Sequence, residues 1–170
     1  MDAADERAFR DFVAARSPAL MGLAYLLTGG DQHAAEDLVQ TSLAKAVTRW
    51  RGIEDPEAYV KRTMYHQQIS TWRLAWRRHE TSVAEPPDTA AADGTGAVDL
   101  RLALRQALAR LTPRQRTVLV LRYFEDLPED EIARILGCSV GTVRSTAHRS
   151  LARLRALATE LTPAYEELTR

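Results

Sequence analysis

The chain has 170 residues, 23 basic and 23 acidic side chains, and a hydrophobic fraction of 45%. This length allows one domain or two small ones, and the hydrophobic fraction is sufficient for globular cores. The single cysteine, Cys138, excludes an internal disulfide framework and a thiolate metal cluster. The N-terminus is acidic and lacks the apolar core of a signal peptide, and no apolar run approaches transmembrane length. We therefore expect a soluble, cytoplasmic protein without membrane insertion.

Three helices are predicted in the first third of the chain. Residues 5–15 form a short helix, and Ser17 and Pro18 are typical of the N-cap and first residue of a second helix. Asp31 caps a third helix, which ends at Gly52. Its core residues recur at spacings of three and four, namely Ala35, Leu38, Val39, Ser42, Leu43, Ala46, Val47 and Trp50.

A fourth predicted helix begins at Asp55 and reaches about His79, and it mixes aromatic residues with cations. Residues 61–79 contain five lysines and arginines and no acid. Two interpretations stay open for the aromatics, which include Trp72 and Trp76. In the first, the aromatic side chains anchor the helix in a core. In the second, they stack on unpaired bases while the cations hold phosphates.

A flexible acidic linker is predicted over residues 81–98, which hold three acids, no base and no aromatic residue. The linker separates a helical domain over residues 1–80 from a second one over residues 99–158. Residues 159–170 are predicted to form a polar tail. The expected fold class is therefore all-α, with two small helical domains.

The second domain is predicted to contain four helices. The first starts near Asp99, and Thr112 opens the second with a capping box. The last two form a helix-turn-helix over Leu127–Leu154. Between them, Gly137 can take the left-handed conformation that ends a helix, and Ser139 is a good N-cap.

The last of these helices separates an apolar stripe from a polar arc at roughly 100° per residue. The stripe consists of Val140, Val143, Ala147, Leu151 and Leu154. The arc consists of Arg144, Ser145, His148 and Arg149. Amphipathic helix pairs with a glycine turn occur in many helical proteins, but residues 140–158 contain no acid. This one-sided charge favours DNA binding in a major groove.

Three stretches together resemble the extracytoplasmic-function (ECF) sigma factors, compact members of the sigma-70 family. They are AEDLVQTSLAKAV (35–47), DPEAYVKRTMYHQQISTWRLAWRR (55–78) and LTPRQRTVLVLRYFEDLPEDEIARILGCSVGTVRSTAHRSLARLR (111–155). The chain resembles the SigE-like actinobacterial subgroup in particular. The resemblance implies domains similar to sigma region 2 and sigma region 4. It also implies a non-enzymatic factor, without cofactors, that directs promoter-specific initiation by RNA polymerase.

The resemblance implies two roles for the first domain. The 35–47 helix would dock on the clamp helices of the largest polymerase subunit, through Glu36, Asp37, Gln40 and Thr41. The 55–78 segment would melt and read the −10 promoter element, with phosphate contacts from Lys61, Arg62, Arg73, Arg77 and Arg78. His66 stands where many family members have an asparagine that touches an extruded base. Trp72 and Trp76 would buttress the helix or stack on the open strand.

For the second domain the resemblance implies recognition of the −35 element. The helix over residues 139–154 would contact bases or phosphates through Arg144, Ser145, His148 and Arg149, and arginine pairs best with a guanine edge. Phosphate clamps would be Arg114, Arg116 and Arg122. The implied partners are core RNA polymerase, through its clamp helices and flap, promoter DNA and an anti-sigma protein.

Two other classes of function compete with this interpretation. A dimeric regulator could bind an operator through the same helix-turn-helix and use residues 1–80 for a ligand or partner. An enzyme is a weaker alternative. His33 and Glu36 have helical spacing for a metal pair, but such pairs are common by chance, and no phosphate loop is present.

Overall fold

A computed structural model describes residues 2–79 and 96–161 of the chain. Within these ranges every regular element is a helix, which confirms the predicted all-α class. The elements are α1 (Ala3–Leu27), α2 (Gln32–Val47), a 3-10 turn (Trp50–Gly52), α3 (Pro56–His79), α4 (Gly96–Ala109), α5 (Pro113–Leu119), a π-helical turn (Val120–Phe124), α6 (Glu129–Leu136) and α7 (Val140–Leu161). The chain divides into two compact units, Met1–Thr71 and Trp72–Arg170, with the boundary inside α3.

Helix α1 is continuous over 25 residues, so the prediction of two separate helices in this region was wrong. Asp2 is the N-cap and forms a reciprocal capping box with Asp5. Pro18 lies inside the helix instead of opening a new one. Ser17 is not a cap, because its hydroxyl donates a hydrogen bond back to the carbonyl oxygen of Val13 at 2.6 Å.

The core of the first unit explains why α1 tolerates Pro18, which cannot donate a backbone hydrogen bond. The buried apolar residues are Leu20, Leu23, Ala24, Leu27, Ala35, Leu38, Val39, Ala46, Val60, Met64, Tyr65 and Ile69. Four of them follow the proline in α1. Before it, Phe9 and Phe12 pack on Trp50, with ring centroids 5.0 and 5.4 Å apart. Packing on both sides of Pro18 therefore keeps the helix continuous.

The second unit contains the helix-turn-helix, and its helices begin and end at the capping residues that the sequence predicts. Thr112 caps α5 in a capping box with Gln115. Gly137 ends α6 with a φ of 65°. Ser139 Oγ accepts a hydrogen bond from the N–H of Thr142 at 3.1 Å at the start of α7. The buried apolar residues are Ala107, Leu108, Leu111, Val118, Leu119, Val120, Leu121, Ile132, Ala133, Leu136, Val143, Ala147 and Leu157.

The segment between α5 and α6 is not regular α-helix. Val120–Phe124 forms a π-helical turn, in which the N–H of Glu125 donates to the carbonyl oxygen of Val120 at 3.0 Å. Tyr123 and Phe124, which end this turn, are 58% and 57% exposed. The turn brings Arg122 close to the start of α6, where it joins an ionic cluster described below.

Three predicted boundaries differ in the structure. Helix α2 ends at Val47 instead of Gly52. Residues 96–98 belong to α4 instead of a linker, and residues 159–161 belong to α7 instead of a tail. The rest of the predicted linker and the rest of the predicted tail lie outside the described residues.

Candidate nucleic-acid interface

Helix α7 has a buried face and an exposed face, and the exposed face carries the residues predicted to read the −35 element. Arg144, Ser145, His148 and Arg149 are all exposed, whereas Val143 is 1% exposed and Ala147 8%. A Cβ added to Gly141 would meet only Ser139 Oγ, at 3.8 Å. The first turn of α7 therefore carries no side chain at position 141, so the helix backbone can come close to the bases in a major groove.

Two of these side chains also bond to the backbone of α7. Ser145 Oγ donates to the carbonyl oxygen of Thr142 at 3.1 Å, and Arg149 Nε donates to the carbonyl oxygen of Ser145 at 3.2 Å. A guanidinium carries five N–H donors, so the Nη atoms of Arg149 keep donors for a base or a phosphate. The bond to Ser145 holds the Arg149 side chain along the helix surface.

An ionic cluster that sequence reasoning missed lies beside this face. We define it as Arg122, Glu129 and Arg144. Arg144 Nε donates to Glu129 Oε2 at 2.6 Å, and Arg122 Nε lies 4.0 Å from Glu129 Oε1. The three side chains line a recess of about 450 Å³. From the sequence, Glu129 is explained by the positive end of a helix dipole, and nothing local points to a partner 15 residues away.

The three arginines predicted to clamp phosphates lie at different depths. Arg116 is 7% exposed, and its Nη1 donates to the carbonyl oxygens of Leu108 at 3.0 Å and Leu111 at 3.5 Å. Burial lowers the pKa of its guanidinium to about 10, which leaves it charged at neutral pH. The interpretation of Arg116 as a phosphate contact is therefore corrected, because its donors serve the end of α4. Arg114 and Arg122 are partly exposed and stay candidates.

Helix α3 carries a row of exposed polar side chains, which we call the α3 row. Its members are Arg62, His66, Arg73 and Arg77. Arg62 and His66 are four residues apart, as are Arg73 and Arg77, so the members of each pair lie on the same side of the helix. Of the other predicted −10 residues, Arg78 is exposed, and Lys61 is half-buried with an ion pair to Glu57 at 3.3 Å.

The aromatic residues of α3 divide between core and surface. Tyr65 is 4% exposed and belongs to the core. Trp72 is half-buried, and the guanidinium carbon of Arg73 lies 5.8 Å from its ring centroid. Trp76 is 70% exposed. The core interpretation therefore applies to Tyr65, while Trp76 offers the open ring face that stacking on an unpaired base requires.

A cleft of about 840 Å³ next to the start of α3 is a second feature that sequence reasoning missed. Its lining consists of Val47, Thr48, Arg49, Trp50, Arg51, Gly52, Ile53, Glu54, Asp55, Ala58, Tyr59 and Arg62. Arg51 forms ion pairs with Asp2 and Asp5 of the α1 capping box, and the pKa of Arg51 is raised by the hydrogen bond to Asp5 and by the charge of Asp2. The one sequence signal is the run Arg49-Trp50-Arg51 after α2, two cations around an aromatic ring.

The residues predicted to bind polymerase lie on the outer face of α2. Glu36, Asp37 and Gln40 are exposed, and Thr41 is half-buried. Glu36 accepts a hydrogen bond from Gln32 Nε2 at 2.7 Å. Asp37 and Gln40 are three residues apart, so both point away from the core on neighbouring turns.

Residues 2–79 and 96–161 contain neither a cluster of metal ligands nor a membrane-spanning helix. In these ranges no three His, Cys, Asp or Glu side chains are grouped so that they could hold a metal ion. No helix there is both long enough and apolar enough to cross a bilayer.

Two family models match this chain. Residues 12–78 match the family model Sigma-70 region 2, and residues 101–154 match the model Sigma-70, region 4. The first match includes the whole α3 row. The second includes the ionic cluster and the exposed face of α7.

Individual relatives give the same result. The chain is 40% identical over 150 residues to the RNA polymerase sigma-E factors of Streptomyces avermitilis and Streptomyces coelicolor, covering 86% of this chain and 83% and 84% of theirs. It is 31% identical over 127 residues to the RNA polymerase sigma factor SigV of Bacillus subtilis, covering 74% and 76%. The chain therefore belongs to the sigma-70 family, as an ECF sigma factor. This confirms the resemblance read from the sequence and favours a sigma factor over the operator-binding regulator.

Two solved structures share the fold. RpoE of Bartonella quintana, in its complex with the anti-sigma factor NepR, is 26% identical, with a TM-score of 0.67 over 90% of this chain and 98% of RpoE. CnrH, solved with the cytosolic domain of CnrY, is 24% identical, with a TM-score of 0.57 over 91% and 90%. The likeness to CnrH concerns the fold alone.

Proposed function

We propose that this sigma factor holds the −10 element on α3 and reads the −35 element with α7 while it is bound to core RNA polymerase. The observation that carries the proposal is a pair of exposed basic surfaces. One lies in the segment that matches sigma region 2, and the other lies in the segment that matches region 4. The protein acts by binding, without catalysis of its own, in the cytoplasm where polymerase and template meet.

At the −10 element, binding to one strand offsets the cost of opening the duplex, which is about a few kcal/mol per extruded base. The arginines of the α3 row hold phosphates, which positions the strand without specifying its sequence. Trp76 supplies a ring for base stacking. His66, in the middle of the row, is placed to touch a base.

We assign the cleft beside α3 to an extruded base of the −10 element. Arg62 belongs both to the α3 row and to the lining of the cleft, so a strand that follows the row reaches the opening. Tyr59 and Trp50 supply ring surface in the cleft, and Arg49 supplies a cation. Rings combined with cations are the chemistry that holds unpaired bases.

At the −35 element, α7 enters the major groove with Arg144, Ser145, His148 and Arg149 toward the base edges. Arg114 and Arg122 contact phosphates on either side. Neither unit needs a high affinity alone, because attachment to one polymerase raises the effective concentration of each at a correctly spaced element.

Two kinds of protein partner belong to the proposal, core RNA polymerase and an anti-sigma protein. The outer face of α2 docks on the clamp helices of the largest polymerase subunit through Glu36, Asp37, Gln40 and Thr41, and the second unit meets the polymerase flap. An anti-sigma protein is a further proposed partner, because the similar RpoE of Bartonella quintana was solved with one.

Run-off transcription with purified core polymerase tests this proposal on promoters mapped from transcript 5′ ends after overproduction. A promoter-specific transcript is expected only when both chain and core are present. Arg144→Ala and Arg149→Ala should each weaken promoter binding by about 1–3 kcal/mol. Arg134→Ala is the matched control, because Arg134 is an exposed arginine of α6 that pairs with Asp130 at 3.2 Å. Tight duplex binding by the chain alone, without any effect on core polymerase, would favour the operator-binding regulator instead.

A further inference from the structure

We propose that Glu129 is a positioning residue, which holds Arg144 so that its two terminal amino groups read one guanine of the −35 element. The inference rests on the proposed role of α7 and adds a residue that touches no DNA itself. It is carried by the geometry of the ionic cluster Arg122, Glu129 and Arg144.

The contact between Glu129 and Arg144 uses one specific donor of the guanidinium. Arg144 Nε lies 2.6 Å from Glu129 Oε2, a short distance typical of a charge-assisted hydrogen bond. With Nε occupied, the guanidinium still presents its Nη1 and Nη2 donors as a planar fork. That fork matches the O6 and N7 acceptors of guanine in the major groove. The carboxylate therefore prevents Arg144 from contacting guanine through Nε and leaves the contact through Nη1 and Nη2.

The surroundings of Glu129 distinguish it from an ordinary acid at a helix start. The neighbouring Asp130 has a side chain that is 67% exposed and pairs with Arg134 of its own helix. The Glu129 side chain is only 25% exposed and reaches α7. On its other side Arg122 Nε lies 4.0 Å away, so that the carboxylate stands between two cations. Two positive charges and one negative charge leave the cluster net positive, which suits nearby phosphates.

The side chain of Arg144 is 69% exposed, so without this contact its long chain would sample many rotamers. Fixing a flexible side chain before binding lowers the entropy cost of association. Loss of the contact should therefore reduce discrimination at one base pair by about 2–10-fold. It should change the folding of the domain little, because Arg144, one partner of the pair, is largely exposed to water, which weakens the attraction.

The test uses the holoenzyme and a panel of promoters in which each −35 base pair is replaced in turn. The ratio of binding to the parent promoter over binding to each replacement is measured for the wild type, Glu129→Ala, Arg144→Ala and the double variant. Asp130→Ala is the matched control. We expect Glu129→Ala to lose discrimination at the same single guanine as Arg144→Ala, and the double variant to lose no more than Arg144→Ala. Asp130→Ala should keep the wild-type ratios.

The outcomes separate this inference from the function it rests on. If Arg144→Ala changes the ratios and Glu129→Ala does not, the role of Glu129 is overturned while α7 remains the −35 reader. If Glu129→Ala only strengthens binding to every promoter equally, Glu129 is a competing charge and the inference is overturned. If Arg144→Ala leaves all ratios unchanged, the reader assignment itself fails. Thermal unfolding checks each variant. Glu129→Met, which keeps the length of the side chain but has no oxygen to accept from Arg144 Nε, replaces Glu129→Ala if that variant unfolds, and it should show the same loss of discrimination.

Discussion

The guanidinium of Arg116 donates a hydrogen bond to the carbonyl oxygen of Leu108 at 3.0 Å, in the interior of the second unit. Arg116 is one of six arginines in residues 101–124, which contain no acid, and this charge pattern alone makes it a candidate for DNA binding. The hydrogen bond to Leu108 gives it a structural role instead. Removing Arg116 takes one of two donors from the carbonyl of Leu108, which also accepts from the N–H of Leu111 at 3.2 Å. It also takes a donor from the carbonyl of Leu111, and each lost hydrogen bond to a charged donor costs free energy.

Arg116→Met should therefore lower the free energy of unfolding of the second unit by about 1–3 kcal/mol. Urea unfolding followed by circular dichroism measures the change. Arg114→Met is the matched control, because Arg114 lies two residues away and is partly exposed. It should leave stability nearly unchanged and weaken promoter binding instead. The opposite pattern in the two variants would restore Arg116 as a phosphate contact.

Replacing the proline inside α1 should stabilise the first unit. Pro18 is exposed and removes a backbone donor from a continuous helix, so Pro18→Ala should raise the free energy of unfolding by about 1–3 kcal/mol. Denaturant unfolding of the full chain, followed by a probe in the first unit, measures this. Ala19→Ser, a change at the neighbouring exposed position, should alter stability by no more than about 0.5 kcal/mol. A Pro18→Ala variant of lower stability would mean that the proline shapes a bend on which the packing depends.

The α3 row should appear in the salt dependence of binding. Removing one phosphate contact lowers the slope of log K against log salt concentration by about 0.7 for a single strand. Arg77→Ala should therefore reduce the slope by about that amount for a holoenzyme bound to a fluorescent −10 non-template strand, measured by anisotropy at several salt concentrations. Arg10→Ala is the control, because Arg10 is exposed on α1 and pairs with Glu6. An unchanged slope for Arg77→Ala would remove it from the proposed contacts.

The outer face of α2 should control capture by polymerase. Asp37 and Gln40 are both exposed, so the pair Asp37→Ala and Gln40→Ala should leave the fold intact. It should weaken binding to core polymerase by about 10-fold or more if these side chains are central in the interface. Surface plasmon resonance with immobilised core measures the affinity. Glu6→Ala, an exposed acid of α1, should bind normally, and equal affinities for all three proteins would place the docking surface elsewhere.

Residues that act on their immediate neighbours in the chain could be predicted from the sequence. Gly137 and Ser139 mark the helix-turn-helix joint because each acts on the backbone within three residues of itself. Thr112 is predictable for the same reason. Pro18 was misassigned, because the packing of aromatic and aliphatic side chains on both sides of it outweighs its local cost.

Contacts between distant residues were beyond such reasoning. Glu129 reaches Arg144 only because α6 and α7 cross, and the crossing is not encoded in either helix alone. The cleft beside α3 depends in the same way on the turn at Trp50 and on the start of α3. The burial of a cation also decides whether it supports the fold or can contact DNA. Arg116 and Arg114 look alike in the sequence, but the first is buried and the second is partly exposed.

The central claim is that the chain and core polymerase together open promoter DNA at the −10 element. Permanganate footprinting measures this directly, because the reagent oxidises thymines that are unpaired. We expect reactive thymines confined to the −10 region when chain, core and promoter are mixed, and none when either protein is omitted. Absence of reactivity in the complete mixture, on a promoter where transcription is known to start and with both proteins shown to be folded, would contradict the account.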